Sequence, residues 1–193
     1  MTITACSDLS AASWLATEYW SRFPVWGPRG FPAYARLRFV PDPEFDGQPI
    51  TEIASVDGPS EIWQLGVATT VLAGHTTTKD ECYYAIWDAW DSVDLESTGA
   101  ALMSSVPDRR YRLFKGTTDS LPKDRYEQLS ETWQLPIPAL IWPADHAWFI
   151  ASDIDPHFAA IGASVSAVRD LFGDGRIDIV LSSSPDDEPF YYN

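Results

Sequence analysis

Residues 139–155 read Ala-Leu-Ile-Trp-Pro-Ala-Asp-His-Ala-Trp-Phe-Ile-Ala-Ser-Asp-Ile-Asp, two apolar runs on either side of a short turn. Aromatic and β-branched residues fill both runs, and Pro143-Ala144-Asp145 between them is typical of a turn. The pattern predicts a β-hairpin whose second strand ends in Asp153-Ile-Asp155. Because a tight hairpin joins antiparallel strands, this stretch decides the fold class.

Further strands and helices are predicted on both sides of the hairpin. Apolar and polar residues alternate, or nearly so, at 34–40, 82–90, 110–115 and 177–181, which predicts strands there. Capping residues and apolar spacing predict helices at 9–20, 61–73 and 165–172, the last two capped by Ser60 and Ser164, and a short helix at 123–131. The elements do not alternate as β-α-β units, so we expect an α+β fold, a mostly antiparallel sheet with helices packed mainly on one face.

A single domain is expected to span residues 1–193. With 45% hydrophobic residues the chain can bury one sizeable core. Segments 24–32 and 41–60 are rich in Pro and Gly, which argues against regular structure and predicts a long loop at 41–60. The tail from residue 184 is expected to be solvated.

The charge of the chain bears on its partners. The sequence carries 28 acidic and 13 basic residues, a net charge of −15 at pH 7. Binding to nucleic acid depends on Lys and Arg that neutralise phosphates, so this composition argues against it. A basic protein partner is expected instead, although a merely solvated acidic surface is the alternative.

The cysteines and the apolar runs indicate a compartment. Cys6 and Cys82 are the only cysteines, and their positions imply no disulfide framework, which fits a reducing cytosol. No stretch approaches the roughly 20 apolar residues of a membrane span, and the N-terminus lacks the basic start of a signal peptide. We expect a cytoplasmic protein that does not bind membranes.

Asp153 and Asp155 are the first candidates for chemistry. Two carboxylates at a strand end can share a divalent cation, but the same pair, with Asp155 before Pro156, also suits a capped turn. His75, His146 and His157 show no spacing that would place two imidazoles on one face, so neither a metal nor a cofactor is predicted.

Other reactive side chains have equally plain structural interpretations. Cys82 lies in an apolar run, where a thiol is more often a core residue than a nucleophile. Ser164 follows Gly162-Ala163 and could open an anion site at a helix N-terminus or simply cap the helix. No catalytic residue is assigned.

The tryptophans suggest a recognition surface. Trp142 and Trp148 lie on opposite arms of the hairpin, and Trp87 and Trp90 are three residues apart. These side chains cannot all point inward from one sheet face, so at least one is expected near the surface. Exposed Trp beside Asp is typical of protein-binding sites. The candidate partner-binding residues are therefore Trp142, Asp145, Trp148, Asp153 and Asp155.

Two stretches carry a resemblance. His-Thr-Thr-Thr-Lys-Asp-Glu-Cys-Tyr-Tyr-Ala-Ile-Trp-Asp-Ala-Trp at 75–90, and the hairpin at 140–155 continued through Gly162-Ala-Ser164, resemble a group of actinobacterial proteins with no established activity. The likeness covers roughly residues 60–182 and implies a bacterial, cytosolic setting without catalytic residues. The chain departs from the group at 156–158, where Pro-His-Phe replaces small polar residues.

Three functional hypotheses remain. The first is a non-enzymatic acidic domain that binds a basic protein, as immunity or antitoxin proteins do. The alternative is a small-ligand-binding protein or metal-dependent enzyme with a cleft near Asp153, Asp155 and Ser164. The third is an oligomerising structural domain, and the sequence leaves the oligomeric state open.

Overall fold

The computed structural model describes residues 3–17, 23–53, 58–89, 94–104, 109–125, 134–152, 157–182 and 191–192. The strands are β1 (Thr4–Ala5), β2 (Ala33–Arg38), β3 (Gln48–Pro49), β4 (Cys82–Trp87), β5 (Leu102–Met103), β6 (Tyr111–Gly116), β7 (Leu140–Pro143), β8 (Phe149–Ala151), β9 (Phe158–Ala163), β10 (Ile179–Ser182) and β11 (Tyr191–Tyr192). The α-helices are α1 (Phe23–Trp26), α2 (Ile50–Ile53), α3 (Glu61–Leu72) and α4 (Val165–Phe172), and 3₁₀ helices span Ser10–Thr17, Ala73–His75 and Glu96–Thr98.

One large sheet organises the described strands. Its order is β1-β6-β4-β7-β8-β9-β2-β10, with β5 also paired with β6, and the pairings between these strands are antiparallel. The strands β3 and β11 form a separate parallel pair. The α+β class and the antiparallel 139–152 hairpin are thus confirmed, and β4 lies inside the sheet as its apolar sequence predicts.

Both faces of the sheet are covered. The two longest helices, α3 and α4, pack on one face, while the 3₁₀ helix Ser10–Thr17 and α1 pack on the other. Along β4 the side chains alternate between the two cores: Cys82 and Tyr84 face α3 and α4, and Tyr83 and Ala85 face the opposite layer. Alternation therefore does not mark an exposed side in this sheet.

The strand β9 was not predicted from the sequence, which indicates a loop through Pro156 and assigns no element between it and the Ser164 cap. All six of its residues are buried, and four of them are Ala or Gly, which have weak preference for strands. Small side chains are needed because the covering layers approach closely. A Cβ at Gly162 would lie 2.4 Å from a ring carbon of Phe31.

Two segments expected to lack regular structure contain short elements. Residues 23–26 form α1, and Pro24 is tolerated because the first turn of a helix needs no N–H donor. The 41–60 segment holds β3 and α2, so it is not a loop throughout its described part. Most of the proposed helix at 123–131 lies outside the described residues, and 123–125 are not helical. Residues 184–190 of the tail also lie outside them.

The predicted helix caps are confirmed. Ser60 Oγ accepts a hydrogen bond from Trp63 N at 3.4 Å, and Ser164 Oγ accepts one from Ala167 N at 3.2 Å. Each serine has an extended backbone, as an N-cap residue requires. The caps fix where α3 and α4 begin, and α3 starts at the end of the sheet where β2 ends and β10 begins.

Replacement of Gly162 tests the close packing of the two layers. We expect Gly162→Ala to lower the free energy of unfolding by about 1–3 kcal/mol, because the added methyl group collides with the Phe31 ring. Urea denaturation measures the change. Gly74→Ala is the matched control, since a Cβ there meets no atom within 4 Å; equal stability of the two variants would contradict the packing argument.

Candidate functional site

Asp145, a predicted partner-binding residue, is held inside a hydrogen-bond network at the tip of the β7–β8 hairpin. Its carboxylate accepts from Thr76 Oγ1 at 2.7 Å, from Thr77 N and Oγ1 at 2.8 Å each, and from Ala147 N at 3.2 Å. Burial alone would raise the pKa of Asp145, but these hydrogen bonds outweigh it and lower the pKa to about 2. The network ties the hairpin to the turn that follows α3.

The two hairpin tryptophans, both predicted to bind a partner at the surface, lie in the core. Trp142 is fully buried against Tyr83 and Phe149 at centroid distances of 5.8 and 5.7 Å, and its Nε1 donates to Ala11 O at 3.3 Å. Trp148 is fully buried on the opposite face, beneath α3 and α4. The expectation assumed one covered face, whereas both faces are covered.

The remaining tryptophan pair is only partly described. Trp87 is half-buried, with the Arg109 guanidinium carbon 5.6 Å from its ring centroid. Trp90 lies outside the described residues.

The residues proposed for an alternative cleft are not brought together by the part of the chain that the structure shows. Asp153 and Asp155 lie outside the described residues. Their described neighbour His157 precedes the first residue of β9, whereas Ser164 follows the last. Ser164 is thus separated from His157 by the whole length of the strand, and it acts as the cap of α4. The part of the chain that the structure describes does not test a cleft at Asp153 and Asp155.

Other reactive candidates also take structural roles. Cys82 is fully buried, and burial raises the pKa of its thiol to about 12, so the core interpretation holds. His75 Nε2 lies 2.9 Å from an oxygen of Asp170. The His146 ring stacks on the Trp14 ring, with 4.2 Å between the ring centroids. Among the residues described, no three His, Cys, Asp or Glu side chains form a group able to hold a metal ion.

A cleft lies at the end of the sheet opposite the hairpin tip. It has a volume of about 590 Å³ and opens between the end of β2, the start of α3 and the start of β10. Apolar and polar groups line it together: Arg38, Phe39, Val40, Pro41, Ile53, Gly58, Pro59, Glu61, Gln64, Gly175, Arg176, Ile177 and Asp178. None of these residues is among the predicted partner-binding set.

The arginines of the cleft are held by carboxylates. Arg38 donates to Asp42 at 3.1 Å and to Asp178 at 2.9 Å. Arg176 donates to both oxygens of Asp174, at 2.9 and 2.6 Å. Behind Arg38, Arg36 makes a two-point contact with Asp42, at 2.7 and 3.0 Å. Bidentate pairs of this kind fix the guanidinium planes, so these groups form the frame of the cleft.

Glu61, the first residue of α3, differs from its neighbours. Its side chain is half-buried in the cleft wall, and within the described part of the chain no group hydrogen-bonds it or pairs with it within 4 Å. Burial raises the pKa of Glu61, and the charge interaction with His157 opposes this rise only in part. A carboxyl group with a raised pKa in a cleft is a recognised mark of a functional site.

Gln64 lies one turn further along α3 and completes this wall. Its Nε2 donates to Pro59 O at 3.2 Å, which orients the side-chain amide and leaves its Oε1 as an acceptor. The sequence signals for the cleft were Ser60-Glu61 at a helix start and Arg36-Ala-Arg38 before a Pro-rich segment. Neither pattern is specific, because the cleft appears only when β10 and α4 bring Arg176 and Asp178 beside them.

No protein-family model, curated protein or solved structure matches the chain. The resemblance to actinobacterial proteins, drawn from residues 60–182, therefore stays a prediction. In the ranges that the structure describes, no helix is long and apolar enough to cross a membrane.

Asp145→Asn tests the structural role of the hairpin carboxylate. The amide replaces one accepting oxygen with a donor, so we expect the free energy of unfolding at pH 7 to fall by about 1–2 kcal/mol. This loss is at the low end of the range for charged hydrogen bonds, because solvent screens the exposed site. The exposed Asp80→Asn variant is the control and should behave like the wild type.

The same comparison has a defined pH dependence. The folded pKa of Asp145 is about 2, below the ordinary value of 3.8. The stabilisation is therefore complete above pH 4 and is lost as the pH falls towards 2. Denaturant titrations from pH 7 to pH 2 should show the wild type and Asp145→Asn converging; a constant difference would rule out the charge as its cause.

Proposed function

We propose that this protein binds a small molecule in the cleft between β2, α3 and β10. The observation that carries the proposal is Glu61, a half-buried carboxyl without a partner in the described part of the chain, in a cleft whose arginines are already paired. The polar groups of the cleft lie at the ends of β2 and α3, and both elements pack into the core beneath α3 and α4.

Size and composition of the cleft support a small ligand. Its volume of about 590 Å³ falls within the range of roughly 300–1,000 Å³ typical of ligand pockets. Phe39, Val40 and Ile177 provide apolar wall, and Glu61 and Gln64 provide a few placed polar groups, which is the usual make-up of such sites. Binding rather than catalysis is proposed, because the support consists of the cleft and the single carboxyl group of Glu61.

A tryptophan placed in the cleft tests the proposal. A Cβ at Gly175, in the cleft wall, meets no atom within 4 Å, so Gly175→Trp adds a large side chain at the cleft without a clash at its Cβ. We expect compounds that bind the wild type in a ligand-observed NMR screen of metabolites to lose binding in Gly175→Trp.

Gly74→Trp is the matched control, because Gly74 also has open space beyond its Cα but lies outside the cleft lining. It should bind as the wild type does. If no compound binds, or if Gly175→Trp binds as well as the wild type, the cleft is not the binding site.

A second candidate is the acidic domain of immunity or antitoxin type that binds a basic protein. Charge is what supports it. Many Lys and Arg side chains in the described part lie within 4 Å of a carboxylate of the same chain, among them Arg38, Arg112 and Lys115. The surplus of acid behind the net charge of −15 is therefore left for an outside partner. Three of the residues predicted for that surface do not support it. Trp142 and Trp148 are buried, and the Asp145 carboxylate accepts hydrogen bonds from the protein itself.

Salt dependence tests this second candidate. Association through an acidic surface should weaken strongly as ionic strength rises, because screening acts on exposed charges. We expect a basic protein captured from a host lysate at about 50 mM salt to be released well before 500 mM, beyond which the screening length falls to a few ångströms. Capture that is indifferent to salt would count against an electrostatic partner surface.

A further inference from the structure

We propose that the cleft accepts an organic cation, a molecule with an ammonium or guanidinium group on an apolar body, and that Glu61 is its counter-ion. This inference rests on the proposed function, because it names the chemical class of ligand for the same cleft.

The hydrogen-bonding groups of the cleft favour a donor ligand. Arg38 gives both terminal nitrogens to Asp42 and Asp178, and its Nε is buried, so the guanidinium group has little left to offer. Arg176 is paired in the same way with Asp174. In the described lining, the Glu61 carboxyl and Gln64 Oε1 accept no hydrogen bond, and a carboxylate and an amide oxygen are both acceptors. A ligand with N–H donors matches them.

Within the described part of the chain no cation pairs with Glu61 within 4 Å, and the charge interaction with His157 offsets its burial only in part. Burial without a paired cation disfavours the ionised carboxyl, which is the physical reason that its pKa is raised. A bound ammonium or guanidinium group would provide a positive charge beside the carboxylate and stabilise its ionised form. The binding energy would then come from an electrostatic cost already present in the empty cleft.

The N-terminus of α3 acts in the opposite direction, because helix N-termini attract anions. Its partial charge is about half an elementary charge, spread over the first turn. The Glu61 carboxylate carries a full negative charge at the same helix end, so the local field still favours a cation. The net charge of −15 adds attraction at longer range and should speed the arrival of cations.

The rest of the cleft fits an apolar body. Phe39, Val40 and Ile177 belong to the lining, and so does Ile53 from α2. An alkyl or aryl group packed there would remove apolar surface from water while the charged end stays at Glu61. A simple inorganic cation would leave this wall unused, which is why an organic cation is favoured.

Three probes that share a phenylethyl group separate the effect of ligand charge from that of apolar packing. They are 2-phenylethylamine, 2-phenylethanol and 3-phenylpropionate, which are cationic, neutral and anionic at pH 7. Dissociation constants are measured by protein-observed NMR on the wild type, Glu61→Gln and Glu52→Gln. Glu52 is an exposed acid in α2, so its replacement changes the net charge equally without entering the cleft lining.

We expect the wild type to bind the amine about tenfold more tightly than the alcohol, the size of one charged hydrogen bond, and the anion most weakly. Glu61→Gln should abolish this preference and leave the affinity for the alcohol unchanged, whereas Glu52→Gln should keep the preference. Glu61→Asp, which retains the charge on a shorter side chain, should keep part of it. Urea unfolding of Glu61→Gln is measured in parallel at pH 7. The urea concentration at its midpoint should not fall, because the substitution removes a partly buried charge.

Two results would overturn the inference while leaving the proposed function intact. The first is a wild type that binds the alcohol or the anion as tightly as the amine, with binding lost in Gly175→Trp. The second is an amine preference that persists in Glu61→Gln. If none of the three probes binds and the metabolite screen also finds no ligand blocked by Gly175→Trp, the inference and the proposed function both fail.

Discussion

Burial of both faces of the sheet is the constraint on which the rest of the structure depends. A strand between two covered faces must place every side chain in a core, so its sequence has no polar side. In β7 the successive residues Ile141 and Trp142 enter different cores, and both are fully buried. The polar groups that determine stability and binding are consequently concentrated at the ends of the strands.

The same constraint explains which parts of the fold the sequence predicts. The hairpin, β4, β6, α3 and α4 are visible because their apolar residues, caps and turns are local signals. The strand β9 is not visible, since Gly162 and the alanines around it fit the space left by Phe31, a residue some 130 positions earlier in the chain. Its composition records long-range packing rather than strand preference.

The burial of two predicted partner-binding residues, Trp142 and Trp148, has a related cause. Trp142 and Trp148 were placed at a surface by an argument that is correct for a sheet with one covered face. The 3₁₀ helix Ser10–Thr17 and α1 cover the second face of the sheet. The helix α1 was not predicted, because it contains Pro24 and lies in a segment rich in Pro and Gly. Glu61 could be predicted as the start of a helix, but its burial in a cleft wall depends on β2, β10 and the turn after α4. Such properties arise only from the assembled fold.

The two ends of the sheet show how one kind of side chain can serve two purposes. At the hairpin tip, Asp145 receives four hydrogen bonds, and the pKa of its carboxyl falls to about 2. At the other end Glu61 receives none within the described residues, and burial raises its pKa. A satisfied carboxylate fixes two segments of chain to each other and has little affinity left for a ligand. An unsatisfied carboxyl in an open cleft keeps its electrostatic cost until a ligand removes it, and we therefore propose binding at the end of the sheet where no described residue pairs with Glu61.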